Sequence, residues 1–290
     1  MREILNGIID MHVHNGPSTA ARKYNTAEFC LEADKAGYKA FITKDHYFPS
    51  MMTAMQTNSL LEGKVRTRAY GSLILNNSVG GINLKAVDVA CAMDVKYLSL
   101  PTLSCANHIE FYKGKKFPGE SRSMSVEEIP IYLTDKKGDL TQDLENLLQY
   151  LSRKESAPIL ATGHGSREEI DAVVNRASGL GVKVLLNHPY YGFDAQTRFV
   201  EEWAKLGAYV ELTAVWFLLE GTKSYGVLSD LFSRIPLEKF VLDSDMGQAN
   251  LESSIDGLYK FIEILMKEFK LTEKQINLIG KETPSKLMGI

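Results

Sequence analysis

Six histidines stand in this sequence, and their placement is the first sign of chemistry: His12, His14, His46, His108, His164 and His188. His14, His46, His164 and His188 each close a short apolar run that reads as a strand. His12 lies two residues before His14, and His108 falls in the loop after the fourth run. None lies in a stretch with helical periodicity. Two imidazoles two apart on a strand point to one face. Neutral imidazoles so placed can grip one divalent cation. A lone His-x-His is a weak signal. Two further strand-ending histidines and an acidic end to the last strand, Asp243 and Asp245, make it a strong one. The expected metal ligands are His12, His14, His164, His188 and Asp245. Zinc is the first choice of ion, with manganese, iron and nickel open, and the count is one or two.

Other residues could do chemistry beside a metal. Lys44 and His46 end the second strand on a shared face. Lys44 reads either as a structural ion pair, as a cation that anchors substrate, or as a lysine carbamylated to bridge two metals. His108 reads as a loop histidine bonded to backbone or as a site residue. Asp245, His188, Lys44, His46 and His108 are the residues expected to act in catalysis. Glu211 lies inside the seventh strand, where a buried glutamate needs a partner. Asp10 shares the face of His12 and reads as a carboxylate that orients a ligand histidine. Lys44, His108, Tyr190, Tyr191 and Trp216 are candidates to line a pocket.

These residues need a scaffold. Apolar runs recur at 8–14, 38–46, 68–75, 97–101, 158–164, 182–188, 209–212 and 240–245, with amphipathic stretches such as 26–36, 166–178 and 195–206 between them. Continuously apolar short strands suit a parallel sheet covered on both faces. Ser166 and Glu169 form a capping-box pattern. Gly37, Gly181 and Gly207 each follow a helical stretch, where a left-handed C′ residue belongs. Eight strand–helix repeats predict an α/β fold, a (β/α)8 TIM barrel, over one domain of 1–290. A doubly wound open sheet is the alternative. The turn-rich segment 111–140 interrupts the beat as an insertion after strand four. It is expected to carry a small hairpin and to lie over the C-terminal face.

Bulk properties narrow the classes. The chain has 290 residues, 44% hydrophobic and 24% charged, with a net charge of −3. That is enough for a large core and gives no basic stripe for nucleic acid or anionic membrane. Cys30, Cys91 and Cys105 are too few and too scattered for a disulfide framework or a cysteine zinc site. Cys30 and Cys91 read as buried thiols, and Cys105 follows a strand and could face the site. The first residues pass into a strand without a signal-like leader, and no apolar run is long enough to span a bilayer. A cytoplasmic protein acting on a small molecule is expected, as a monomer or a homo-oligomer.

The motifs resemble those of the amidohydrolase superfamily. Asp10-Met-His12-Val-His14 is similar to its strand-one D-x-H-x-H. His164 in ATGHGS, His188 in LLNHPY and Asp245 in LDSDMGQ resemble its ligands on strands five, six and eight. The tail ETPSKLMGI is similar to that of many members. HNGPS, TKDH, NNSVGGIN, LPTLSCANH, ATGH, NHP and SDMGQ, in this order, resemble an uncharacterised amidohydrolase-like family along nearly the whole chain. One departure stands out. Strand four reads YLSLPTLS and lacks the Lys or Glu that bridges two metals in many members.

The resemblance and the residues imply a metal-dependent hydrolase that activates water to cleave an ester, lactone, amide or related bond. Phosphoester hydrolysis, a metal-dependent lyase or decarboxylase, and a barrel that binds a metabolite without turnover remain as alternatives.

Overall fold

The computed structural model describes residues 2–115, 124–190 and 196–290. Every apolar run forms strand, shorter than its run except at β8, which is one residue longer: β1 Ile9–Val13, β2 Ala40–Thr43, β3 Arg68–Tyr70, β4 Ser72–Ile74, β5 Tyr97–Ser99, β6 Ile159–Ala161, β7 Val184–Leu186, β8 Tyr209–Thr213 and β9 Phe240–Asp243. The run 68–75 makes two strands where one is expected. At Gly71 the backbone passes the start of the helix Met51–Leu60 so closely that a Cβ would lie 2.3 Å from Met51 Cα. Only glycine allows that approach, and the strand ladder breaks there.

The chain divides into two compact units. One comprises Met1–Lys44, Ser50–Gly71 and Glu211–Ile290; the other comprises Asp45–Pro49 and Ser72–Val210. In the first, β1, β2 and β3 form a parallel sheet in sequence order. The end of β9 runs beside β1, where Val13 bridges Met246 in parallel. In the second, β4, β5, β6, β7 and the start of β8 pair in parallel, again in sequence order. β1, β2, β4, β5, β6, β7 and β9 are buried along their whole length, as sheets covered on both faces require.

The helices begin and end where local chemistry dictates. Ser166 and Glu169 close the expected capping box on the helix Arg167–Leu180, which stops at Gly181 with φ +70°. Asn25 and Glu28 form a second box on Thr26–Lys35. Gly37 and Gly207 also take positive φ after their helices. The helix expected at 195–206 spans Thr197–Lys205 and buries Val200, Trp203 and Ala204.

The insertion lies over the C-terminal ends of strands in its own unit. Glu128 accepts from Asn77 at 2.8 Å, beyond β4, and from the Ser104 hydroxyl beyond β5. Leu133 N–H donates to Glu169 at 2.7 Å, beyond β6. The small hairpin is present, with Thr134 bridging Leu140 in antiparallel fashion. Residues 116–123 of the insertion lie outside the described residues. Among the described residues no helix is long and apolar enough to cross a membrane.

Candidate metal centre

In the first unit the ends of β1 and β9 are sewn together, and this places the chemistry. Asp245 N–H donates to His12 O and His14 N–H to Met246 O, both at 2.8 Å. Asp10 is part of the stitching. Its Oδ1 accepts from the backbone N–H of His12 at 3.2 Å and of Ser244 at 3.0 Å. The expectation that Asp10 orients an imidazole is therefore corrected: it holds backbone, and Glu211 orients the ring. The candidate ligands beyond His12 lie past the strand ends, in the loops, where the expectation has them closing the strands.

His12 Nδ1 lies 2.9 Å from Glu211 Oε1, and both side chains are buried. His14 Nδ1 lies 3.1 Å from the carbonyl oxygen of Lys44. Each Nδ1 faces an oxygen that can only accept, so each imidazole carries its proton there. Both Nε2 lone pairs then turn to the same place: Asp245 Oδ1 is 3.0 Å from His12 Nε2 and 3.1 Å from His14 Nε2. Burial lowers the His14 pKa to about 3, so that ring is neutral. Lys44 Nζ reaches His12 Nε2 at 2.9 Å and is itself buried. Burial lowers its pKa, against the pull of Glu211, Asp245 and Asp243.

Backbone conformation at the site is unusual. Asp245 has φ +50°, a left-handed conformation that a non-glycine residue adopts rarely. Gly247 has φ +138°, and a Cβ there would sit 1.8 Å from His14 O. The turn after β9 is thus pressed onto the end of β1.

Behind His12 lies Asp243, with no solvent exposure and with neither carboxylate oxygen hydrogen-bonded among the described residues. Burial, then Glu211, Asp10 and Asp245, raise its pKa well above the carboxylate range. Two groups of residues could each share one cation: His12, His14 and Asp245, and His12, Glu211 and Asp243. The donor set fits a divalent metal. Two oriented imidazole nitrogens and a carboxylate oxygen converge, a further carboxylate holds a ring from behind, and a buried acid stands beside them.

The other four histidines gather in the second unit. His164 Nδ1 lies 2.8 Å from His108 Nδ1, and their rings stack with centroids 4.8 Å apart. His164 is 5.3 Å from His188 and 6.5 Å from His46, centroid to centroid. His108 is not in a loop: it lies in the short helix Ala106–Phe111, because the chain coils immediately after the strand-five turn at Cys105. Burial, then His188, lowers its pKa to about 4. His164 and His188 belong to neither cation group. His188 has φ +23°, the second candidate ligand in a left-handed conformation.

Cys105 is buried, and burial pushes its thiol up to about 12, so it is no nucleophile. Cys91 is half-buried where a buried thiol is expected. Tyr190 and Trp216 are half-buried, and Tyr191 lies outside the described residues. Sequence reasoning missed Asn76 and Thr102, which hold His46. Their signal is weak: a buried polar residue just past a strand, in NNSVGGIN and LPTLS.

Comparisons with known proteins bear on the family and the fold. A family described as "Family of unknown function (DUF6282)" matches residues 7–211. No curated protein matches the chain in sequence. Among solved structures, a TatD family hydrolase from Entamoeba histolytica shares 10% identity at a TM-score of 0.60, covering 97% of this chain and 98% of its own. An amidohydrolase II shares 15% at 0.57, covering 98% and 100%. A dihydroxybenzoic acid decarboxylase from Polaromonas sp. JS666, solved with manganese and 2-nitroresorcinol, shares 14% at 0.55, covering 98% and 97%. Such identities show the fold: the chain has the parallel α/β fold of TatD proteins and amidohydrolases, the class of the (β/α)8 barrel.

Proposed function

We propose that this chain, which belongs to the family of unknown function DUF6282, is a metal-dependent enzyme of the amidohydrolase type that acts on a small molecule. The observation that carries the reading is the meeting of His12 Nε2, His14 Nε2 and Asp245 Oδ1 at 3.0 and 3.1 Å, with both Nδ1 protons already committed elsewhere. Three lone-pair-bearing atoms held together in a buried place call for a cation between them. The metal dependence of the structural relatives supports it, manganese being bound in one of them.

A divalent cation held there would acidify water and polarise a substrate oxygen. The protein supplies the rest. Glu211 fixes the tautomer and the direction of His12. The carbonyl of Lys44 does the same for His14. Asp245, partly open to solvent, takes a proton from water and returns it to the leaving group as general acid and base. His188, His164 and His108 stand together in the second unit. Lys44 is read as an ammonium that anchors an anionic substrate group. A carbamate that helps to hold a second metal is the other role for it.

Hydrolysis of an ester, lactone or amide is the reading we adopt. Decarboxylation is a second reading, favoured by one feature: β5 and the residues after it, YLSLPTLS, offer no Lys or Glu to bridge a second metal. One ion is enough to draw electrons from a carboxylate-bearing substrate. Zinc, manganese, iron or nickel would serve either chemistry, zinc being the first choice for this nitrogen and oxygen set.

The test is metal analysis of the purified protein beside the His12→Ala/His14→Ala double variant. Wild type should hold one or two equivalents and the variant little, with the fold kept. Equal metal in both would defeat the proposal. A panel of lactones, amides, phosphoesters and hydroxybenzoates on metal-loaded protein then separates the hydrolase from the decarboxylase.

A further inference from the structure

The second unit holds a hydrogen-bond network in which Asn76 and Thr102 fix the proton facing His46 Nδ1. Asn76 Oδ1 accepts from the backbone N–H groups of Thr102 at 2.8 Å and Ser104 at 3.2 Å. Those partners are donors only, so the amide orientation of Asn76 is fixed. Its Nδ2 must then donate, and it does: to His46 O at 2.8 Å and to Thr102 Oγ1 at 2.9 Å. The Thr102 hydroxyl therefore receives a proton from Asn76 and has its own left to give. Thr102 is fully buried, and among the described residues the remaining acceptor within reach is His46 Nδ1, at 2.9 Å. A buried hydroxyl with no acceptor is costly, on the order of 1–3 kcal/mol.

From this network we infer that His46 is held as the neutral Nε2–H tautomer, and that it serves as a hydrogen-bond donor to a carbonyl or carboxylate oxygen of a ligand bound in the second unit rather than as a metal ligand. Its Nδ1 is occupied by Thr102, and its Nε2 carries a proton, so neither nitrogen has a lone pair to offer a cation. His46 lies among the second unit's imidazoles, edge-on to His164. Asn76 and Thr102 touch no substrate in this scheme. They are positioning residues that act through His46.

The role toward substrate rests on the metal-dependent reading above, whereas the tautomer does not. Long-range ¹H–¹⁵N correlation spectra of histidine-labelled protein decide the tautomer with or without metal. The Nε2–H pattern is expected for His46 in wild type. Thr102→Val should bring in the Nδ1–H form, and Thr102→Ser, which keeps the hydroxyl, should restore the wild-type pattern. An Nδ1–H pattern in wild type would overturn the inference. So would a valine variant with an unchanged tautomer. Metal content gives the second arm: His46→Gln should keep the wild-type equivalents, and loss of metal would make His46 a ligand and refute the assignment. If wild type binds no metal at all, the metal-dependent reading fails while the spectra still decide the tautomer.

Discussion

Glu211 Oε1 lies 2.9 Å from His12 Nδ1, and neither side chain reaches solvent. A carboxylate behind a ligand imidazole fixes its tautomer and raises its basicity. Replacing such a partner typically weakens metal binding about 10–100-fold. Glu211→Gln keeps the shape and removes the charge. It should weaken metal binding by that factor in chelator competition while the far-ultraviolet circular dichroism stays that of wild type. Unchanged affinity would show that His12 does not ligate through Nε2.

Lys44 Nζ and a metal would address the same His12 Nε2 lone pair. Lys44→Met removes the competing ammonium and keeps the length of the side chain. If Lys44 is an anchor, the variant should bind metal roughly tenfold more tightly or better, since like charges this close repel. Its KM for an anionic substrate should rise. Loss of one metal equivalent would instead identify a carbamate bridge.

His108 gives a pH dependence with a defined sign. Its pKa falls from 6.5 to about 4 in the folded protein, through burial first and His188 second. Between those values the unfolded chain binds the proton and the folded one does not. The neutral ring's contribution to stability is therefore complete above pH 6.5 and is lost as pH falls toward 4. The loss amounts to roughly 3 kcal/mol across that window, at about 1.4 kcal/mol per unit of pKa shift. His108→Asn has no such group. Urea unfolding at pH 7, 5.5 and 4.5 should show wild type losing stability relative to the variant as the pH drops. A constant difference across the three would rule out a depressed His108 pKa.

Gly247 supports the site by having no side chain. A Cβ there would meet His14 O at 1.8 Å, and its φ of +138° is strained for any other residue. Gly247→Ala should destabilise the protein on the order of 3 kcal/mol and weaken metal binding, because relief of the clash pushes β1 and the Asp245 turn apart. A melting temperature and metal affinity equal to wild type would show that the turn relaxes without moving the ligands.

Much of this was readable from residue order. Continuous apolar runs gave the strands, because a sheet covered on both faces needs little else. The histidines pointed to the strand ends, since imidazoles are out of place in apolar runs and none broke a helix pattern. The break at Gly71 was hidden, because it depends on the approach of Met51, which no local pattern records. The helix around His108 was missed because six residues carry too little periodicity to stand out. Asp243 and Glu211 were visible as acids in apolar strands, but that they flank one imidazole follows from register between strands distant in sequence. Asn76 and Thr102 were invisible as a pair. A network of amide, hydroxyl and imidazole leaves no spacing rule in the chain.

The two sides of the candidate metal centre lie 231 residues apart, His14 near the beginning and Asp245 near the end. During synthesis His14 emerges from the ribosome 231 residues before its carboxylate partner. No N-terminal fragment that stops short of β9 can assemble His12, His14 and Asp245, however well its strands pair. Metal uptake through these three residues would therefore wait for Asp245 and leave any shorter chain in the apo state. Binding to the folded form alone also deepens its stability in proportion to the free metal. A cell short of metal would accordingly carry this protein closer to its unfolding threshold.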